Sequence, residues 1–323
     1  MTKMILIITN KSDITTDYVV NKLNKRNTPY FRLNTEDLIK NISINFNFKQ
    51  GIFQILDREK NQVIDLNEVK SVYYRRPQLP SLQDFNVTEA EKQFILKEIA
   101  YTLEGLYKIL IDKFWISPVF SIREAENKIY QLLLAEKLGF TIPNSIITNE
   151  KQCAELFISE NDENIIKPIK TGAIDEQGNE RVIFTSNFNT DQMGSLNRIS
   201  FCPTYFQEKI EKKADLRVTV VGDKLFAVKI NSQLHLESRT DWRKGSEYVV
   251  YEEFDLRSEV QRKCLELTKA LNLNFGAIDL VIDQKDNYIF LEINPNGQWA
   301  WLEEKLSLPI SDQIIELLKK AGM

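Results

Sequence analysis

The sequence predicts a mixed α/β (α+β) fold, and three observations lead to this prediction. Up to residue 77, short apolar runs alternate with an amphipathic segment, as in layered α/β domains. Residues 88–112 carry apolar side chains at helical spacing, which predicts one long amphipathic helix. Beyond residue 200, β-branched and aromatic runs are separated by turn-forming residues, which predicts antiparallel strands.

The same patterns place the elements in order along the chain. Gly139 follows an apolar-periodic segment and is expected to end its helix, because glycine is common just beyond a helix C-terminus. Before the long helix, we expect a helix at 15–27 and strands at 4–9, 29–34, 42–48, 51–57 and up to Pro77. After it, we expect helices within 125–140, 152–159, 258–273 and 311–322, a strand at 164–170 and a hairpin over 276–298. These elements divide into an N-terminal α/β domain (1–117), a central subdomain (118–200) and a C-terminal subdomain (201–323).

The composition excludes several classes of protein. Hydrophobic residues make up 43% and charged residues 27% of the 323 residues, which is neither a disordered composition nor one with a membrane-spanning run. The formal net charge of -4 and the scattered basic residues argue against a nucleic-acid partner. The three cysteines, Cys153, Cys202 and Cys264, lack metal-ligand spacing and leave an odd thiol, which favours a reducing cytoplasm.

The most informative segment is the predicted hairpin, in which AIDLVID and NYIFLEI flank the turn-forming residues QKDN. If its strands pair symmetrically about the Lys285–Asp286 centre, Asp279 lies opposite Glu292, with about 5 Å between opposed residues. Asn294 is two residues beyond Glu292 and therefore shares its face. A polar hairpin without an ion is the alternative, but acids within apolar strands are costly unless paired or metal-bound. Because hard oxygen donors suit Mg²⁺, the sequence predicts a magnesium site here.

Other polar residues stand where they can meet a nucleotide. Lys128 opens a predicted helix, and Lys167 ends an apolar strand, where its long stem lets the ammonium reach a phosphate. Residues 207–210 follow another strand and offer backbone groups and apolar side chains to a purine. Asp215 is placed to accept hydrogen bonds from ribose hydroxyls, and Arg217 begins a further strand near the expected phosphate. Each residue taken alone is also compatible with an ordinary solvated surface.

In order, these parts resemble the ATP-grasp superfamily over residues 118–300. The matching pattern is a helix lysine, a strand lysine before proline, a glycine-containing loop, Q-E-x-I, D-x-R, an arginine-bearing loop, an aspartate and E-x-N. The resemblance implies two subdomains that hold ATP and Mg²⁺ between them and activate a carboxylate as an acylphosphate. In D-alanine ligases an arginine stands two residues before the metal aspartate, whereas Ala277 stands here, so that class is disfavoured.

The resemblance also implies a role for each matching residue. It assigns Lys128 and Lys167 to the phosphates, Asp215 to the ribose, and the adenine contacts to Gln207, Glu208, Lys209 and Ile210. It assigns Asp279, Glu292 and Asn294 to Mg²⁺, and we expect Arg217 and Arg243 at the γ-phosphate and the acylphosphate.

A narrower resemblance spans nearly the full length. The segments VYYRRP (72–77), TDWR (240–243) and EINPNGQWAWLE (292–303) are similar to graspetide synthetases, which macrocyclise microviridin-like ribosomal peptides. This implies a precursor peptide partner, with a leader that is recognised and a core whose Asp or Glu side chains are joined to Thr or Ser as esters, or to Lys as amides. It also implies a homodimer.

Arg75 and Arg76 end a strand immediately before Pro77 and are expected to project into a cleft between domains. Planar guanidinium groups bind carboxylates in bidentate fashion, so these residues are candidates for orienting the substrate acid. A solvated pair of charges is the alternative.

Two rival functions remain from the sequence. One is a carboxylate–amine ligase that adds an amino acid to a small metabolite or protein terminus. In related glutamate-adding ligases an asparagine often follows the arginine of the DWR-like motif, but Lys244 and Gly245 follow here, which weakens this rival. The other is a nucleotide-dependent binding module without turnover. The sequence leaves ester and amide chemistry open, and leaves residues 170–186 as a candidate lid or leader-binding surface.

Overall fold

The computed structural model describes residues 4–170, 173–176, 179–245 and 248–320. Its helices are α1 (Ile14–Lys25), α2 (Glu89–Ile109), α3 (Val119–Ala125), α4 (Lys128–Lys137), α5 (Lys151–Glu160), α6 (Ser258–Ala270), α7 (Ala300–Leu306) and α8 (Ile310–Lys320). The first strands are β1 (Met4–Thr9), β2 (Tyr30–Asn34), β3 (Ile42–Asn47), β4 (Ile52–Asp57), β5 (Gln62–Asp65), β6 (Val69–Tyr74), β7 (Phe114–Ile116), β8 (Ser145–Thr148) and β9 (Asn164–Lys167). The remaining strands are β10 (Ala173–Glu176), β11 (Asn179–Val182), β12 (Ser186–Phe188), β13 (Thr204–Glu208), β14 (Lys212–Val221), β15 (Lys224–Ile230), β16 (Tyr251–Glu253), β17 (Phe275–Asp283) and β18 (Tyr288–Asn294). The predicted mixed α/β class is confirmed.

The first compact unit comprises the chain up to Ile122, residues Asn272–Phe275 and the segment from Asn296. Its parallel sheet has the strand order β2-β1-β6-β7, and a second, antiparallel sheet is formed by β3, β4 and β5. The apolar runs of β1 and β6 are buried in one core with the inner face of α2, as expected for a parallel sheet covered by helices. The long helix α2 agrees with the prediction over 88–112, and Thr88 and Glu91 close its N-terminus as a capping box.

The second compact unit comprises Arg123–Leu271 and Gly276–Pro295. One four-stranded sheet has the order β12-β9-β13-β8, and a five-stranded sheet has the order β16-β15-β14-β17-β18. Buried Gln131 ties α4 to β18, because its amide donates to the Ile293 carbonyl (2.8 Å) and accepts from the Ile293 amide (3.0 Å). These two hydrogen bonds hold helix α4 against strand β18 within this unit.

The segment predicted as one helix within 125–140 forms the end of α3 and then α4. Asn127 separates them, because its side-chain oxygen accepts hydrogen bonds from the amides of Ile129 and Tyr130 at 3.1 Å each and caps α4. Lys128 is consequently the first residue of α4. Gly139, with a φ of +76°, follows the helix as expected for a glycine at a helix C-terminus.

The structure describes only part of the candidate segment 170–186, and it does not test the predicted domain boundaries. Within the candidate segment 170–186, β10 and β11 pair as an antiparallel hairpin, while Gly172 and Gly178 lie outside the described residues. The domain boundaries after residues 117 and 200 remain predictions. In the part of the chain that the structure describes, no helix has the length and apolar character needed to cross a membrane.

Candidate active site

The hairpin of β17 and β18 brings together the two predicted metal-binding acids. Asp279 is directly paired with Glu292, which confirms the predicted register at this position. The remainder of the hairpin is not symmetric: Leu280 pairs with Phe290, so that a bulge at Leu291 shifts the register by one residue. The bulge is what keeps both acids on the same face, because a one-residue slip would turn one of them to the other face. Asn294 pairs with Ala277, two residues further along each strand.

Arg217 neutralises Asp279. Its Nη1 atom lies 2.9 Å from both carboxylate oxygens, and β14, which carries Arg217, belongs to the same sheet as β17. Burial raises the pKa of Asp279, and the positive charge of Arg217 opposes this rise. The expected role of Arg217 at the γ-phosphate remains a prediction, and its partner in this structure is the carboxylate of Asp279.

Lys128 neutralises Glu292. Its Nζ atom lies 3.0 Å from the Glu292 carboxylate and 3.3 Å from the carbonyl oxygen of Pro168. The Glu292 side chain is 27% exposed. Burial alone would raise its pKa, but the positive charges of Lys128, Lys167 and Arg243 lower the pKa to about 2, so the carboxylate stays ionised at neutral pH.

Lys167 ends β9, and its ammonium lies over the ring of Tyr205, 5.4 Å from the centroid. Within the described residues it has no hydrogen-bond or ion-pair partner, unlike Lys128. Burial lowers the pKa of Lys167 to about 8, with Glu292 opposing this shift and the charges of Lys128 and Arg243 adding to it. A partly desolvated ammonium group of this kind is well suited to donate a hydrogen bond to a phosphate oxygen.

Arg243 lies on the short helical turn Trp242–Gly245 and is held by Asp241. The Nε atom of Arg243 lies 2.8 Å from Oδ1 of Asp241, and Nη2 lies 2.6 Å from Oδ2. Its charge lowers the pKa of Glu292, which places Arg243 in the same electrostatic cluster as the two lysines. Six predicted residues are therefore brought together: Lys128, Lys167, Arg217, Arg243, Asp279 and Glu292.

The two carboxylates and the amide oxygen of Asn294 fit Mg²⁺ by their chemistry. These are hard oxygen donors, and Mg²⁺ commonly takes only one or two carboxylates and completes its shell with phosphates and water. Each of the two acids is paired with a positively charged side chain, so the cost of burying its charge is offset even without a metal ion. Among the described residues there is no group of three or more His, Cys, Asp or Glu side chains that would hold a metal without further ligands. By the chemistry of their oxygen donors, Asp279, Glu292 and Asn294 are the residues that could hold such an ion.

The predicted adenine-binding segment, residues 207–210, covers the last two residues of β13 and the two residues after it. The amides of Glu208 and Lys209 donate to the carbonyls of Asn144 and Glu163, at 2.9 Å each, so the strand end is fixed by the protein itself. The Lys209 ammonium is also paired with Glu163, at 3.0 Å. The Ile210 amide makes no backbone hydrogen bond to another described residue. Its role, and that of buried Gln207, remain predictions.

Asp215 is buried on β14 with its carboxylate already engaged. Lys212 lies 2.8 Å from it, and the hydroxyl of Ser232 donates to it. Burial raises its pKa, while Lys212 opposes the rise. The ribose role of Asp215 remains a prediction, and binding a ribose would require its present partners to share the carboxylate.

Arg75 and Arg76 differ sharply. Arg75 is only 2% exposed, and its guanidinium lies 3.1 Å from the Asp13 carboxylate and donates to the carbonyls of Asn296 and Gly297. Such a buried, multiply bonded arginine has few donors left for a substrate. Arg76 is exposed and adopts a φ of +47°. Their substrate roles remain predictions.

Sequence reasoning missed Gln131 and Asp241 as residues that shape the site. Gln131 lies three residues after Lys128 and therefore on the same face of α4, where it fixes the strand that carries Glu292. A polar residue on the buried face of a helix was the available signal. Asp241 had a weaker signal, namely its position two residues before Arg243.

Known proteins resemble this chain in both halves. The model of the MvdD pre-ATP grasp domain matches residues 4–123, and that of the RimK-like ATP-grasp domain matches residues 125–318.

Two solved structures match almost the whole chain. A RiPP-associated ATP-grasp ligase of Chryseobacterium gregarium, in complex with ADP and a leader and core peptide, is 30% identical, with a TM-score of 0.89. The match covers 100% of this chain and 98% of that one. The macrocyclase MdnC of Microcystis aeruginosa MRC, bound with its precursor peptide MdnA, is 29% identical, with a TM-score of 0.87, over 98% of this chain and 99% of that chain.

A more distant relative has another activity in its name. The tetrahydromethanopterin:alpha-L-glutamate ligase of Methanocaldococcus jannaschii is 24% identical over 208 residues, which is 62% of this chain and 68% of the relative.

Proposed function

Because this chain belongs to the family of RimK-like ATP-grasp ligases, we propose that it is a graspetide synthetase that forms crosslinks within a ribosomally made precursor peptide. The observation that carries the proposal is the likeness, over essentially the full length and at 29–30% identity, to two ligases solved with precursor peptides. The cluster of Lys128, Lys167, Arg217 and Arg243 around two acids supports the same chemistry.

The proposed reaction has two steps. An Asp or Glu carboxylate of the core peptide attacks the γ-phosphorus of ATP, and ADP leaves, which produces an acylphosphate. A Thr or Ser hydroxyl, or a Lys amine, then attacks the acyl carbon, and phosphate leaves as the ester or amide forms. Activation is required because the delocalised charge of a carboxylate makes it a poor electrophile.

The residues of the chain contribute positioning and charge. Lys128 and Lys167 would bind phosphate oxygens, Arg217 and Arg243 would receive the charge that develops on the transferred phosphoryl group, and the segment from Gln207 to Ile210 would bind adenine. Mg²⁺ bound by Asp279, Glu292 and Asn294 would neutralise the nucleotide phosphates. In this scheme Lys128, which pairs with Glu292 in this structure, would bind phosphate oxygens, and Glu292 would hold the cation.

The proposal also covers the oligomeric state, the cellular location and the peptide recognition of the enzyme. We expect a homodimer that works in the cytoplasm and recognises a leader segment, with Arg76 a candidate for contact to the substrate acid. Neither nucleic acid nor a membrane takes part in the proposed reaction.

A second candidate is the addition of an amino acid to a small metabolite or protein terminus, favoured by the likeness to the glutamate ligase. An ADP-release assay separates the two functions. We expect ADP release with Mg²⁺ to be stimulated by a leader-bearing precursor peptide and not by free glutamate or other amino acids. Stimulation by free amino acids alone would support the second candidate. Nucleotide binding without any ADP release would instead indicate a binding module.

A further inference from the structure

The Asp241 carboxylate accepts two hydrogen bonds from one edge of the Arg243 guanidinium group. Its Oδ1 atom lies 2.8 Å from Nε, and its Oδ2 atom lies 2.6 Å from Nη2. The same Oδ1 also accepts a hydrogen bond from the backbone amide of Arg243, at 3.2 Å. One carboxylate thus fixes both the side chain and the start of the turn that carries it.

Among the described residues, this contact uses only one edge of the guanidinium group for hydrogen bonds. Arginine has five N–H groups in a planar fork, and the grip on Nε and Nη2 uses one N–H from each atom. The N–H groups that remain are both of those on Nη1 and one on Nη2. They form the end edge of the fork, which matches two oxygens of a carboxylate or phosphate.

The Asp241 side chain is buried, whereas the Arg243 side chain that it holds is exposed to solvent. The Asp241 side chain is 5% exposed, whereas the Arg243 side chain is 53% exposed. Burial raises the pKa of Asp241, but the hydrogen bonds and charge of Arg243, together with the charge of Lys212, hold it below its usual value. Asp241 is therefore a permanent anion at neutral pH.

The positive charge of Arg243 interacts electrostatically with other residues of the candidate active site. The charge of Arg243 lowers the pKa of Glu292 and also acts on Lys167 and Asp279. A guanidinium group at this location meets the phosphates of a nucleotide if the nucleotide binds as proposed.

We propose that Asp241 is a positioning residue, which holds Arg243 by its side edge and presents the end edge to the transferred phosphoryl group. The inference rests on the proposed function only in that it requires a nucleoside triphosphate at this site, and it requires no peptide. Asp241 does not touch the nucleotide itself. Its whole effect is transmitted through Arg243.

The test compares the binding of ADP and AMPPNP, with Mg²⁺, by titration calorimetry. The proteins are the wild type, Asp241→Asn, Arg243→Ala and the double variant. Since only AMPPNP has a γ-phosphate, the ratio of the two Kd values reports on the group that Arg243 receives. We expect the preference for AMPPNP to fall about tenfold in Asp241→Asn, the size of one lost charge-assisted hydrogen bond. In the Arg243→Ala background the same substitution is expected to change nothing.

Glu252→Gln is the matched control, because Glu252 also holds a cation, Lys229 at 3.0 Å, but lies at the edge strand β16. We expect it to leave the AMPPNP preference unchanged. Asp241→Glu serves as a second variant and should retain part of the preference, with circular dichroism confirming that every variant folds.

Several outcomes would overturn the proposal. These are an unchanged preference in Asp241→Asn, an equal loss in the presence and absence of Arg243, or a wild-type enzyme that does not distinguish AMPPNP from ADP. Failure of the proposed peptide chemistry would show itself separately, because a normal nucleotide result can accompany an unreactive peptide.

Discussion

Asp279 and Glu292 face one another across the hairpin of β17 and β18, and a different cation holds each carboxylate. Arg217 lies 2.9 Å from both oxygens of Asp279, and Lys128 lies 3.0 Å from Glu292. Two acids can share this face because each negative charge has its own positive partner.

Substitution of Glu292 by glutamine should abolish ADP formation. The change keeps the volume of the side chain but removes the charge proposed to bind Mg²⁺, and we expect a loss of at least about a hundredfold. Calorimetry with Mg²⁺ and ADP should show weakened metal-dependent binding. Glu266→Gln, on the exposed side of α6, is the control and should behave as the wild type. Normal turnover in Glu292→Gln would remove this residue from the mechanism.

The stabilising effect of the Glu292 charge should disappear in acid. The folded-state pKa, about 2, lies below the ordinary value, so the ionised carboxylate stabilises the folded protein above pH ~4.5. This contribution is lost as the pH falls from ~4.5 toward 2. We therefore expect the difference in free energy of unfolding between the wild type and Glu292→Gln to shrink between pH 5.5 and 3, as measured by urea unfolding. A difference that stays constant over this range would show that Lys128 does not hold the carboxylate ionised.

Nucleotide binding should depend on the protonation of Lys167. Burial lowers its pKa to about 8, so the free enzyme loses this positive charge as the pH rises through that value. We expect the affinity for ADP to fall between pH 7.5 and 9.5, by roughly tenfold over the last unit. Lys167→Arg remains charged throughout and should show a much flatter dependence. Parallel pH profiles for the two proteins would contradict the assignment of Lys167 to the phosphates.

Alanine in place of Gly276 should strain the hairpin. A Cβ atom there would lie 2.6 Å from Cδ1 of Ile293, the buried residue next to Glu292. Because the space is filled, we expect a loss of stability of about 1–3 kcal/mol by chemical denaturation. Ile293→Val removes the clashing methyl group, and adding it should recover part of the loss. Equal stability of Gly276→Ala and the wild type would show that Ile293 adjusts freely.

Arg75 and Arg76 should respond differently to substitution. Arg75→Ala leaves buried Asp13 without its cation, which we expect to cost about 3–5 kcal/mol of stability. Arg76→Ala should unfold at the same temperature as the wild type but show a higher KM for the peptide. Thermal unfolding and ADP-release kinetics distinguish these results. An unchanged KM in Arg76→Ala would remove its proposed substrate contact.

Local rules were sufficient for the main elements and for the pairing of Asp279 with Glu292. The period of two along a strand and the turn chemistry of QKDN place the acids opposite each other, even though the actual hairpin reaches this register through a bulge at Leu291. No residue type marks such a bulge in a single sequence. Asn127 is an equally local signal, since it caps α4, whereas α3 (Val119–Ala125) lies almost entirely outside the helix predicted within 125–140.

Residues whose partners are distant in sequence could not be predicted in the same way. The sequence predicts Arg75 as a residue that orients the substrate acid, and it does not reveal that the acceptors of Arg75, Asp13 and the carbonyls of Asn296 and Gly297, come from remote segments. Gln131 likewise acquires its meaning only from contact with Ile293, 162 residues away. The roles assigned to individual nucleotide-binding residues came from the resemblance and still await measurement.

The most direct test of the central claim is intact-mass spectrometry of a leader-bearing precursor peptide after incubation with this protein, ATP and Mg²⁺. We predict the loss of one water for each crosslink formed, with no loss when ATP is omitted or when Glu292→Gln is used. Recovery of the original mass in mild base would identify esters, and a base-resistant loss would identify amides. An unchanged peptide mass despite ADP release, or a gain corresponding to an added amino acid, would contradict the assignment as a peptide macrocyclase.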